Sequence, residues 1–242
     1  MSDFTVIIPL RIASDRLKGK PLLKLNGEPL FVHIYNNLKS KINSLFIATS
    51  DVEILEECTK RKIRFIKTSS RPRNGSERVA EAITNGKIKS NIIIDLQGDE
   101  IDADYKLISG VINTLIKKDA EVCTAVAPLQ NADRENKDIV KAVLNKDSKC
   151  IYFTRAPIPY FRYSSKLSPS IFRHIGIYCY KRDTLLKYKR LPPTYLEECE
   201  SLEQMRFIEN GIDIYAFVTN KQYCKIDNVK EYQKIRGIKN DK

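Results

Sequence analysis

Five stretches of this chain carry residue types that can do chemistry. The first is the loop Leu10 to Leu22, where Arg11, Ser14, Arg16, Lys18, Gly19 and Lys20 follow an apolar run. Four bases with a glycine and a serine suit a polyphosphate, because backbone N–H groups and cationic side chains can converge on its oxygens. The spacing is neither a Walker A loop nor a Gly-x-Gly-x-x-Gly fingerprint, so a solvated basic loop is the competing reading. The second is Gln97-Gly98-Asp99-Glu100. A carboxylate just past a buried strand can hold a divalent cation, and magnesium needs few protein carboxylates when phosphate oxygens complete its shell; the alternative is a Gly-Asp turn. Asp227, in Lys225-Ile226-Asp227-Asn228, is a second such acid or else an N-cap. Arg155, between Thr154 and a proline-stiffened turn, can grip a carboxylate bidentately or form a surface ion pair. His174 and Tyr178 fall on one face of a strand by alternation. Glu197, Glu200 and Glu203 read as a solvated helix face, and Tyr160 to Tyr163 as an aromatic loop packed on its own domain.

The elements that must position these groups follow from the apolar pattern. Phe4–Pro9, Leu45–Thr49, Ile63–Ile66 and Asn91–Leu96 read as strands, the last buried on both faces. Helices lie between them, one opening at Pro29 with Leu30, Phe31, Ile34 and Leu38 on one face. A second is capped at Ser50 with Glu53 three residues on, and a third at Ser76. Right-handed crossovers turn β-α-β-α-β-α-β into a parallel sheet, whose ligands sit at the carboxyl ends of the strands. In the second half a helix fits 104–117, strands fit 121–127, 139–144, 150–154, 174–180 and 213–218, and one continuous helix fits 196–210 before Gly211. The expected class is α/β: a single domain over 1–242, with a parallel-sheet half (1–120) and a second half (121–242) holding a β-rich dimerisation element.

Composition narrows the class of protein. With 42% hydrophobic and 30% charged residues over 242 positions, a disordered chain is excluded. No run approaches the roughly 18 apolar residues of a membrane span, and the first residues lack the basic region of a signal peptide. Membrane insertion is therefore not expected. The six cysteines are scattered, with no Cys-x-x-Cys pair, which argues against zinc and for reduced thiols in a cytoplasm. A net charge of +12 points to a polyanionic partner or to solvated lysines. Seven basic residues and no acid lie between Lys60 and Arg73, and the tail from Lys234 to Lys242 is basic and expected to fray.

Taken together, the segments resemble one family. IIPLRIASDRLKGKPL at 7–22, QGDE at 97–100, YFTRAPIP at 152–159, RHIGIYCY at 173–180 and LEECESLEQMRFIENG at 196–211 are similar, in order and spacing, to the sugar-acid cytidylyltransferases, most closely the CMP-Kdo synthetase family. The resemblance implies a cytoplasmic homodimer with a Rossmann-like, mostly parallel sheet flanked by helices. It implies transfer of CMP from CTP to 3-deoxy-manno-octulosonate (Kdo), with pyrophosphate released, for lipopolysaccharide synthesis. Arg11, Ser14, Arg16 and Lys20 would hold the triphosphate, and Gly75, Arg78 and Gln97 would belong to the nucleotide site. Asp99 and Asp227 would bind Mg2+, and Lys20 would act with them in catalysis. Gln97, Arg155, His174, Tyr178 and Glu203 would surround the sugar acid.

The departures fall in three places. Arg71-Pro72-Arg73 stands where the family usually carries an acid, a glutamine and a histidine beside the cytosine pocket; Gly75, Glu77 and Arg78 are kept. Ile101 replaces the proline after QGDE, and only Asp227 matches cleanly in the C-terminal motif. Two alternatives stand beside this reading. One is the same chemistry on a related acid such as 8-amino-Kdo or a nonulosonate. The other is an RNA-binding module using the Lys60–Arg73 patch, which the scarcity of interleaved aromatics disfavours; no nucleic-acid partner is expected.

Overall fold

The computed structural model describes residues 3–13, 17–162 and 171–240. They divide into two compact units: Met1–Tyr105 with Tyr223–Lys242, and Lys106–Gln222.

The first unit starts with β1 (Phe4–Pro9), then a short hairpin of β2 (Lys24–Leu25) and β3 (Glu28–Pro29). Asn26 and Gly27 both take positive φ in its two-residue turn, as such hairpins require. There follow α1 (Leu30–Leu38), β4 (Leu45–Thr49), α2 (Val52–Lys60), β5 (Phe65–Lys67), α3 (Gly75–Asn85) and β6 (Ile92–Leu96). β1 lies between β4 and β6, and β4 pairs with β5, all in parallel. The order β5-β4-β1-β6 is the 3-2-1-4 arrangement of a Rossmann sheet, so the expected α/β class holds. Val6, Ile7, Ile8, Ile47, Ile93 and Ile94 are completely buried, each contributing about 1.5–3 kcal/mol.

The second unit contains α4 (Tyr105–Lys117), at whose first residue the division falls, then β7 (Val122–Pro128), β8 (Lys141–Leu144), β9 (Cys150–Thr154) and β10 (Ile171–Lys181). It continues with α5 (Arg182–Tyr188), α6 (Tyr195–Glu200), α7 (Met205–Glu209) and β11 (Ile214–Val218). β7 pairs with β11 in parallel and with β10 antiparallel, and β8 joins β10 to β9, both antiparallel. The chain then returns to the first unit for α8 (Val229–Asn240).

Several expectations are corrected. α2 is preceded by Asp51, not capped by Ser50, and Asp51 makes no cap hydrogen bond; its carboxylate accepts from the Ile12 N–H at 2.6 Å. α3 is capped by Asn74, whose side chain accepts from the Glu77 N–H, and Ser76 lies buried inside the first turn. β5 begins two residues later than expected and β10 three residues earlier. The helix expected over 196–210 is two helices, broken where Ser201 takes a left-handed conformation (φ 52°). The tail through Asn240 is helical. Tyr232 and Ile235 pack on Leu17, Leu25, Leu30, Ile101 and Ile226, and the Tyr232 hydroxyl donates to the Lys24 carbonyl.

Candidate active site

In the first unit, three chain segments meet. The basic loop leaves β1 at Pro9, and the Gly19 N–H closes back on the Ile12 carbonyl (3.2 Å). Gly19 takes φ 67°, a conformation glycine adopts without strain, and it opens the one-turn 3-10 helix Lys20–Leu22. The loop after β6 comes close to it: a Cβ on Gly98 would lie 2.4 Å from Leu10 Cδ2, so any larger residue there would have to push the Leu10 side chain aside. The segment before α8 is pinned to that second loop. Ile226 N–H donates to the Asp99 carbonyl, Ile101 N–H to Cys224, and Cys224 N–H to the Asp102 carboxylate. Glu100 and Lys225 form an antiparallel bridge.

These ties put two carboxylates and two ammonium groups in one place. Lys20 Nζ lies 3.1 Å from Asp99 Oδ2 and 3.1 Å from Asp227 Oδ1. Lys225 Nζ lies 2.9 Å from Asp227 Oδ2 and 3.4 Å from Asp99 Oδ2. The Asp227 side chain is only 3% exposed. Burial alone would raise the Asp99 carboxyl, but Lys20 and Lys225 outweigh it and hold the group well below the usual carboxylate range. Burial pulls the Lys225 ammonium down, and Asp99, Asp227 and Glu100 more than reverse that, so it stays charged. Asp227 is thus no helix cap. Asn228 takes that part, accepting from the Glu231 N–H, and the Glu231 carboxylate accepts from the Asp227 N–H. Lys225 was not anticipated; in an extended segment residues two apart share a face, and that spacing from Asp227 is the signal that would have found it.

Around this group, Gln97 donates to the Asp95 carboxylate at 3.0 Å and lies against the first turn of α3, where a Cβ on Gly75 would come 2.3 Å from Gln97 Nε2. Arg11 is exposed and reaches the Arg73 carbonyl at 3.5 Å. Arg73 itself pairs with Glu77 at 2.8 Å. Arg78 is buried, and its guanidinium donates to the Thr68 hydroxyl and the Ser69 carbonyl, holding the approach to α3. Ser14 and Arg16 lie outside the described residues.

The sugar-acid candidates other than Gln97 belong to the second unit. Arg155, at the end of β9, donates from Nε to the Glu200 carbonyl and from Nη1 to Lys137, while its backbone N–H donates to the Glu200 carboxylate. Buried Lys141 donates to the carbonyls of Arg155 (3.0 Å) and Asn136 (2.6 Å), tying the same turn from the other side. Thr124 Oγ1, on β7, donates to the Ile177 carbonyl of β10; its single proton is spent there, so His174 Nε2 at 2.8 Å must be the donor to it. The His174 ring lies edge-on to Phe153 and 5.4 Å from that of Tyr178, as alternation predicted. The Tyr178 hydroxyl donates to Gln204, and the Glu203 carbonyl accepts from Tyr188. The glutamates expected to form one solvated face do not. Glu197 is buried against Arg206, and Glu200 accepts from Tyr152, Thr154 and Arg155.

Two carboxylates held together by paired ammonium groups, beside a basic loop at the end of a parallel strand, can bind a cation and a polyphosphate. Asp99 Oδ1 is buried with no hydrogen-bond partner, as a metal-facing oxygen would be. Among the described residues no larger cluster of metal-binding side chains is gathered, and two carboxylates suffice for magnesium on a triphosphate.

Comparison with known proteins agrees with this chemistry. The profile of the cytidylyltransferase family matches residues 5–214. A 3-deoxy-manno-octulosonate cytidylyltransferase from Fusobacterium nucleatum is 37% identical over 96% of this chain and 95% of its own length. One from Elusimicrobium minutum is 36% identical, with 98% of both chains covered. The solved structure of a CMP:2-keto-3-deoxy-manno-octonic acid synthetase in complex with CTP superposes with a TM-score of 0.88 at 30% identity, covering 99% of each chain.

Proposed function

The chain belongs to the cytidylyltransferase family, and from that premise we propose that it activates Kdo by transferring CMP from CTP and releasing pyrophosphate. The observation that carries the reading is the seating of Asp99 and Asp227 against Lys20, in a chain alike over nearly its full length to enzymes of that name. The anomeric oxygen forms a bond to the α-phosphorus while the bond to the β-phosphate bridge breaks, and pyrophosphate departs with the electron pair. Such a transfer needs positioning and charge neutralisation more than covalent chemistry. Asp99 and Asp227 would hold Mg2+, which would supply charge neutralisation at the phosphates and lower the pKa of a nearby hydroxyl. Lys20 and Arg11 offset charge that builds on the leaving group. Gly75, Arg78 and Gln97 shape the nucleotide side. Arg155, His174, Tyr178 and Glu203, with Gln97, take the sugar acid, Arg155 facing its carboxylate. The ties of Arg155 to Glu200 and of His174 to Thr124 support this, because each orients a polar head before substrate arrives.

The proposal extends to a cytoplasmic homodimer serving lipopolysaccharide synthesis. No helix among the described residues is long and apolar enough to cross a membrane, and Ile151 on β9, 55% exposed, offers a partner copy an apolar contact. The RNA-binding alternative loses ground: within its patch Arg61 pairs with Glu57 and Glu28, and Arg73 with Glu77. The test is pyrophosphate release with CTP, Mg2+ and a panel of acid sugars, with a chelator as control. Kdo should turn over best, and Asp99→Ala should lower turnover by at least about 1,000-fold with its circular dichroism unchanged. Failure of every acid sugar, or near-normal turnover in that variant, would overturn the reading.

A further inference from the structure

We propose that Lys225 is a built-in counter-cation of the Asp99–Asp227 pair, which keeps a divalent cation off the free protein until the triphosphate arrives with it. The inference rests on the assignment of those two carboxylates to magnesium. Lys225 and Lys20 together cover both oxygens of Asp227 and Oδ2 of Asp99, at 2.9 to 3.4 Å. At Asp99 and Asp227 two ammonium groups offset two carboxylates, with Glu100 as a further acid acting on Lys225. A divalent cation entering between Asp99 and Asp227 gains two close attractions and meets two close repulsions at similar range, so little net attraction is left there. Removing Lys225 takes away one of the two repulsions, and the balance turns toward binding.

The two lysines differ in what they can be spared for. Lys20 sits in the basic loop and has the phosphates as its partner when nucleotide is bound. Lys225 is fixed by backbone: the bridge to Glu100, the Ile226 N–H on the Asp99 carbonyl, and completely buried Ile226 beside it. Its charge therefore stays against the carboxylates whichever way the basic loop moves. A triphosphate reverses the balance, because its several negative charges draw both ammonium groups and the cation at once. Metal and nucleotide then bind as a unit, and the free protein carries little metal.

The experiment measures Mn2+ binding to the nucleotide-free protein by the loss of the free-ion electron paramagnetic resonance signal, for wild type, Lys225→Met, Lys225→Arg and Asp99→Asn. Lys225→Met should bind Mn2+ at least about tenfold tighter than wild type, and Lys225→Arg should stay within threefold of it, about the scale of one unit charge in a partly solvated site. Adding CTP should tighten wild type far more than Lys225→Met. If circular dichroism shows Lys225→Met unfolded, Lys225→Gln carries the same expectation. Lys225→Met binding no tighter than wild type overturns the inference alone, provided Asp99→Asn weakens Mn2+ binding to the protein with CTP present. Unchanged Mn2+ binding in Asp99→Asn with CTP present overturns the metal assignment and the inference with it.

Discussion

Gly75→Ala should cripple the enzyme while barely disturbing the fold. Gly75 has no positive φ, so alanine is allowed there, and at the start of α3 it would add up to about 1 kcal/mol of helix propensity. Its methyl group, however, would sit 2.3 Å from Gln97 Nε2 and 3.1 Å from Gln97 Cδ and Oε1. Ordinary contact begins near 3.4 Å, so the amide must retreat by about 1 Å. Where that retreat runs along the bond to Asp95, it stretches the bond from 3.0 Å beyond hydrogen-bonding range. The lost bond costs about 1–3 kcal/mol at a buried carboxylate, and the helix gain offsets part of it. The net is about 1 kcal/mol, or a Tm lower by about 2–4 °C for a chain of this length. Catalysis suffers more, because a 1 Å misplacement of a positioning group can cost about 100-fold. Pyrophosphate release should show kcat/KM down by about that factor, and Gln97→Ala should match it. The double variant should be no worse than Gln97→Ala, since both changes act through one side chain. Wild-type kcat/KM in Gly75→Ala, or losses that multiply in the double variant, would refute the argument.

Two further predictions concern the fold. Arg206→Met leaves Glu197 buried without its partner and should cost about 3–5 kcal/mol in urea unfolding, while the double change with Glu197→Met should recover most of it; equal losses in both would contradict a charge-pair origin. Burial, aided by Glu57, pushes the Cys58 thiol from 9.0 up to about 12. The folded state therefore holds a proton that the unfolded state releases first, so this contribution is complete below pH 9 and lost as pH rises toward 12. Between pH 9 and 11 wild type should lose up to about 3 kcal/mol more than Cys58→Ala, and parallel unfolding curves for the two proteins would contradict this.

The elements of the first unit were legible because each is a short local pattern. Phe4–Pro9 and Ile92–Leu96 are apolar runs with nothing to compete for them, and Leu30 to Leu38 has one unambiguous face. The errors share a cause in contacts distant along the chain. Ser50 and Asp51 are both good caps, but the Asp51 carboxylate is engaged by Ile12, 39 residues away, which no local pattern records. The C-terminal helix was hidden by its charge: Asn228 and Glu231 have capping spacing, and Tyr232 and Ile235 supply the apolar stripe, yet the lysines between them read as a frayed tail. Residue type and motif single out Lys20 and Asp99, which the fold brings to 3.1 Å of each other, whereas the place of Lys225 beside them depends on its bridge to Glu100, distant along the chain.

The break at Ser201 shows what a periodic pattern alone cannot reveal. Residues 196–210 have helical spacing throughout, and a continuous helix would bury an acceptable apolar face. In such a helix Glu197 and Arg206 would stand about 13.5 Å apart along the axis and half a turn round from each other, and neither charge would reach the other. Both are buried in the folded chain, where an unpaired charge costs several kcal/mol. Breaking the helix at Ser201 places Arg206 Nε 2.6 Å from Glu197 Oε2 and stacks the guanidinium on Tyr188. It also ends α6 at Glu200, the acceptor that holds Thr154 and Arg155. A left-handed serine costs about 1–3 kcal/mol, less than the buried pair would lose in its absence. The energetics of one ion pair therefore decide the backbone of this segment, and that backbone carries the residue that orients Arg155.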